Sequence, residues 1–94
     1  MRAPKAETRL LNELLALGKM CAEQGDLKRA EQHFRLAVNL YETYFMENHV
    51  EAMVCLFGLI DVLRRQGKNE DVVAAEELVQ RLNIQRRSTL VGNY

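Results

Sequence analysis

One pattern of residues occurs twice in this chain, 42 residues apart: Leu14, Leu17, Gln24, Gly25, Leu36 and Leu40 recur as Leu56, Leu59, Gln66, Gly67, Leu78 and Leu82. Each copy reads as helical periodicity, a glycine-centred turn, and helical periodicity again. A fixed period of roughly 20–50 residues marks a helical repeat whose units cannot bury their apolar faces alone. Such a chain is built to bind rather than to catalyse.

The bulk numbers agree with a packed helical chain. Its 94 residues suit one small domain, residues 1–94, at a size that leaves little stability in reserve. Apolar residues make up 48%, with only five Gly and one Pro. Thirteen basic and thirteen acidic residues cancel, so no overall field draws in nucleic acid or anionic lipid. Cys21 and Cys55 stand apart on apolar stripes and read as buried free thiols of a reducing compartment. No run approaches the ~18 apolar residues of a membrane span, since Glu51 and Asp61 interrupt Val50 to Leu63. The opening Met1-Arg2-Ala3-Pro4-Lys5 lacks the apolar core of a secretion signal. The expectation is a soluble, cytoplasmic chain with no membrane partner.

The periodicity predicts a first helix from Lys5 or Thr8 to Glu23, with Leu10, Leu14, Leu17 and Cys21 as its core stripe. Leu11 and Leu15 form a second apolar line beside it. Gly25 supplies a left-handed stop and Asp26 a cap for the second helix, Leu27 to Met46. That helix places Leu27, Ala30, Phe34, Ala37, Val38, Tyr41 and Phe45 on one face. Asn48, with Glu51 three residues on, predicts the cap of a third helix, His49 to Gln66. Its inward residues are Ala52, Met53, Leu56, Leu59, Ile60 and Leu63. Gly67 then breaks the chain, and Asn69 is predicted to cap a fourth helix, Glu70 to Leu82. Val72, Ala75, Leu78, Val79 and Leu82 face inward there. Turns this short make the four helices antiparallel neighbours. From Asn83 to Tyr94 the periodicity fades, which predicts an irregular or weakly helical tail over residues 84–94.

The residues Leu14, Leu17-Gly18, Cys21, Ala30, Phe34 and Ala37 resemble the tetratricopeptide repeat, with Cys21 where the family usually has Tyr. The second copy offers Leu56, Leu59, Ile60, Leu63, Val72, Glu76 and Val79. Glu76 replaces an expected aromatic, and a slip placing Ala74 or Ala75 at the small position would repair the pattern. The 42-residue period looks like the longer variety found in kinesin light chains and many bacterial multi-repeat proteins. The resemblance implies an all-α fold of two helix-turn-helix hairpins, residues 8–47 and 48–83, forming a short right-handed α-solenoid.

It also implies a concave groove, lined by the first helix of each hairpin, for a peptide or a partner helix. By position the groove residues are Asn12, Leu15, Lys19, Ala22 and Glu23, then Val54, Phe57, Asp61, Arg64 and Arg65. Independently, Leu11, Leu15 and Phe57 are apolar positions off the predicted core stripes, as a rimmed apolar site requires. Leu15 and Phe57 either line that site or pack together to complete the core. The family's carboxylate grip is not reproduced, because Leu15 and Phe57 stand where its Lys would be, and Lys19 and Asp61 where its Asn would be. The asparagines of kinesin light-chain grooves are missing as well.

No other chemistry is legible. His33 and His49 lie on separate elements without a neighbouring ligand, so no metal or cofactor is expected. Ser88 is the sole serine, within Arg86-Arg87-Ser88-Thr89-Leu90, a sequence similar to a basophilic kinase site. Charge reverses between the copies at Arg9/Glu51, Lys19/Asp61, Glu23/Arg65, Lys28/Glu70, Arg29/Asp71 and Arg35/Glu77. Reversed signs at equivalent positions would favour one stacking over others. Two repeats leave apolar surface at both ends. The expectation is a protein–protein adaptor or scaffold, covered by a homodimer or hetero-complex. The alternatives are a small dedicated chaperone and, more remotely, a nucleic-acid-binding helical repeat.

Overall fold

The computed structural model describes the backbone over residues 5–44 and 49–91, and side chains over 6–43 and 53–82. Its described residues form α1 (Lys5–Glu23), α2 (Leu27–Tyr44), α3 (His49–Arg65) and α4 (Asn69–Val91). These are two antiparallel hairpins stacked so that α3 touches α1, α2 and α4. The predicted Asn48 cap, Phe45 and Met46 lie outside the described residues.

Both hairpin turns close by the same hydrogen bonds. Gly25 and Asp26 donate to the carbonyls of Ala22 and Cys21, and Gly67 and Lys68 donate to those of Arg64 and Leu63. This is the Schellman arrangement, and it needs a left-handed residue. Gly25 and Gly67 supply it, at φ of 82° and 75°. The next helix begins at once. Ala30 N–H donates to the Asp26 carbonyl and Arg29 N–H to Asp26 Oδ1 at 3.2 Å, so Asp26 caps α2.

In the second copy Val72 N–H donates to the Lys68 carbonyl. Lys68, not Asn69, therefore holds the cap position, and Asn69 is already helical. Asp26 and Lys68 are 42 residues apart, so α4 keeps the register of the repeat and no slip occurs. Glu76 stays where an aromatic was expected, accepting from Arg64 Nη2 at 2.7 Å. The helix continues nine residues beyond Leu82, through Val91, although its apolar periodicity has ended. The side chains of the Arg86–Leu90 motif are outside the described residues.

The buried face of α1 is rotated from the predicted stripe. Leu11 is fully buried and Leu14 nearly so, while Leu10 and Leu17 are exposed. Gly18 sits on the buried face and contributes no side chain to an apolar count. Against it lies the ring of Phe34, with Gly58 of α3 on the other side. A Cβ at Gly18 would come within 2.9 Å of Phe34 Cζ, and one at Gly58 within 2.5 Å of Cε1. The ring is sandwiched between two glycine faces, which lets α1 and α3 approach across it.

The α2 face is as predicted over its described residues: Ala30, Phe34, Ala37 and Tyr41 are buried. On α3, Cys55 and Val62 join the core besides the predicted Leu56, Leu59, Ile60 and Leu63. A helix with three neighbours is buried most of the way round.

One buried carboxylate locks the hairpins together. Glu31 on α2 accepts from Arg35 Nε at 2.7 Å, Lys68 Nζ at 2.8 Å and Gln66 Nε2 at 3.0 Å. Gln66 also donates to the carbonyls of Val62 and Leu27, and Arg35 extends to Asp71 at 3.6 Å. Burial pushes the Glu31 carboxyl up, but the three donors and the Arg35 charge outweigh it and hold the pKa at about 2, from 4.5.

Candidate functional site

The face of α1 beyond Leu15 and the face of α3 around Gly58 leave a groove between them, with Phe34 as its floor. Leu15, Ala16 and Ala22 line one wall, Val54 and Gly58 the other, and the groove encloses roughly 470 Å³. It exists because Gly58 and Ala16 are small. A larger residue at either would fill the cleft between parallel helices.

The rim is charged. Lys19 and Glu23 stand on α1, Asp61 and Arg65 on α3. Asp61 and Arg65 pair at 3.2 Å, and Arg65 Nη1 also donates to the Ala22 carbonyl at 3.3 Å, closing the groove at the end of α1. The Ala22 carbonyl thus accepts twice, from Arg65 and from Gly25 N–H of the turn. Val54 is about half exposed, so apolar surface is open to solvent in the groove.

Of the residues the sequence nominated, Leu15, Lys19, Ala22, Glu23, Val54, Asp61 and Arg65 converge on this groove. Leu15 is partly buried and packs on both core clusters, so it belongs to the wall and to the core at once. Leu11, expected beside it off the stripe, is wholly core. Asn12 lies on a separate shallow surface with Thr8 and Arg9. Phe57 is 58% exposed and is not among the groove-lining residues, while Arg64 turns to α4 and Glu76. Ala16, Phe34 and Gly58 were missed as groove residues. The signal was available, because a helix-interior glycine costs about 1 kcal/mol and calls for a packing reason.

The reversed charges do not meet as equivalent pairs among the described residues. Arg35 reaches Asp71 instead, a member of a different reversed couple.

The described residues hold no group of three His, Cys, Asp or Glu that could bind a metal, and no helix long and apolar enough to cross a membrane. His33 Nδ1 is committed to the Arg29 carbonyl at 2.8 Å.

The stacked hairpins, their glycine turns and the groove between first helices point one way, and the pattern of the tetratricopeptide repeat matches residues 9–83. The chain belongs to that family. Neither the curated proteins nor the solved structures give a match. Tetratricopeptide repeats are generally protein–protein interaction modules, and the Phe34-floored groove is the larger of two apolar clefts among the described residues, the other lying between α2 and α4 beside Leu78.

Proposed function

We propose that this chain is a non-catalytic adaptor whose α1–α3 groove takes an apolar side chain from a peptide or helix of a partner protein. The observation that carries this is the exposed apolar wall at Val54 beside the Phe34 floor, rimmed by charges of both signs. An apolar cleft with a polar rim suits a side-chain anchor with charged residues flanking it. The mixed rim is the opposite of the continuous basic surface that nucleic acid needs. The 42-residue period supports placing it with the longer variety of repeat seen in kinesin light chains.

The test is a displayed peptide library selected against the whole chain, followed by NMR mapping of the enriched peptides. Resonances of Gly18, Val54 and Gly58 should shift, and Val54→Glu should weaken binding at least tenfold. A Thr43→Glu control, at the exposed end of α2 and outside the groove, should leave peptide affinity unchanged. Peptides that shift only residues outside the groove, or that bind Val54→Glu as well as wild type, would refute it.

A further inference from the structure

Of seven large apolar side chains exposed among the described residues, five fall into two sets that the repeat relates to buried or partly buried ones. Repeat 2 buries Leu59 and Val62 in the cluster that holds Ala30 and Phe34 of α2, and packs Leu78 on the cluster of Leu11 and Ala37. Forty-two residues earlier stand Leu17, Met20 and Leu36, between 41% and 54% exposed. Repeat 1 receives repeat 2 through Leu15 and Glu31. Forty-two residues later stand Phe57 and Val73, 58% and 52% exposed. The molecule therefore shows both halves of its own repeat–repeat interface, one at each end.

We propose that a second copy of this chain stacks end to end on the first, its α1–α2 face docking on the α3–α4 face of its neighbour. The charges select this occupant. Inside the chain Arg35 reaches Asp71. At the junction the equivalent positions are Glu77 of one copy and Arg29 of the next, both signs inverted and still attractive. Across the groove rim Lys19 and Asp61, and Glu23 and Arg65, stand on opposite walls. At the junction Asp61 faces Lys19 and Arg65 faces Glu23, attractive again. Four of the six reversed couples, Lys19/Asp61, Glu23/Arg65, Arg29/Asp71 and Arg35/Glu77, thus meet with opposite signs between chains.

The turn residues fit as well. Gln66 fastens repeat 2 to the Leu27 carbonyl, and its equivalent Gln24 is exposed, with the neighbour's Asn69 carbonyl at the matching place. The Glu31–Lys68 pair has Val73 and Asp26 as successors. A glutamate kept at 73 would have faced Asp26 of the next copy with like charge, and valine removes that conflict.

Stacking also gives a role to the nominated residues that the existing groove omits. Asn12, Phe57 and Arg64 are equivalents of Val54, Leu15 and Ala22, which line the groove. They would line a second groove at the junction.

Docking of unlike faces leaves one face of each kind free at the ends of the stack, so it lengthens with concentration. The test uses the full chain in two variants, Leu17→Glu with Leu36→Glu, and Phe57→Glu with Val73→Glu. All four positions are exposed, and circular dichroism checks that the helices persist. Under light scattering wild type should grow with concentration, and each variant alone should stay monomeric. Their equimolar mixture should form a dimer that grows no further. Adding Glu77→Arg to the first variant should weaken the mixture by up to about fivefold, and Arg29→Glu on the second should restore it. Wild type that stays monomeric into the millimolar range, a blocked variant that dimerises alone, or a mixture that stays monomeric would overturn the proposal. Should a blocked variant unfold, Glu77→Arg and Arg29→Glu in otherwise wild-type chains read the same junction. The stack does not depend on what the α1–α3 groove holds, so either reading can fail alone.

Discussion

The Phe34 sandwich yields a prediction whose sign depends on a second residue. An alanine methyl at Gly58 would stand 2.5 Å from Phe34 Cε1 and 2.7 Å from Cζ, about 1 Å inside ordinary contact. The ring cannot retreat, because Gly18 closes on its far face, with a Cβ position only 2.9 Å away. Forcing a methyl into a packed site costs roughly 1–3 kcal/mol. Replacing a helix-interior glycine by alanine returns about 1 kcal/mol. Gly58→Ala should therefore destabilise wild type by up to about 2 kcal/mol. In a Phe34→Leu background the clash is gone and only the helix preference remains, so the same change should stabilise by up to about 1 kcal/mol. Urea unfolding followed by far-ultraviolet circular dichroism on the four chains gives the coupling energy. If Gly58→Ala shifts both backgrounds equally, to within about 0.5 kcal/mol, the sandwich does not constrain the fold and the reasoning fails.

The Glu31 clamp predicts a pH signature. Its depressed pKa means that its contribution is complete above the ordinary 4.5 and is lost as pH falls towards about 2. That displacement corresponds to about 3 kcal/mol, and solvent screening of the half-exposed Arg35 and Lys68 should leave about 2 kcal/mol to measure. Glu31→Gln should thus lower stability by that amount at pH 7, with the gap to wild type narrowing between pH 4.5 and 2. A constant gap across that window in urea titrations would exclude the clamp. At the second turn, Gly67→Ala forces an L-residue to φ near 75° and should cost about 1–2 kcal/mol. Gly67→Asn should recover part of it, as thermal unfolding would show.

Much of the fold was legible because the deciding signals are local. The turns announced themselves through Gly25 and Gly67, and α2 through an uninterrupted small-and-aromatic face. The rotation of α1 was not legible from leucine spacing, since its buried face includes a glycine. Nor could local spacing reveal the Glu31 clamp, whose partners Gln66 and Lys68 lie 35 and 37 residues away. The Asn69 cap was misplaced for a related reason. A cap-forming residue type drew attention, while the register set by Asp26 pointed one position earlier, to a lysine whose side chain has another use.

The groove shows why position alone is an incomplete guide in a repeat. Leu17 and Leu59 hold the same place in the pattern, yet Leu59 is core, because α3 packs on the α1–α2 hairpin, and Leu17 is surface among the described residues. Asn12, Phe57 and Arg64 were nominated by equivalence to residues that do line a groove. They miss this one, Arg64 turning to Glu76 instead, and in the proposed stack each would line the junction with the next copy. A residue's role here is set jointly by its own chemistry and by the presence of a neighbour one period away. The inverted charges at Arg29 and Glu77 matter in the same conditional way: Arg29 has a local pairing with Asp26 at 3.7 Å, and in the proposed stack it would also meet the Glu77 of a neighbour.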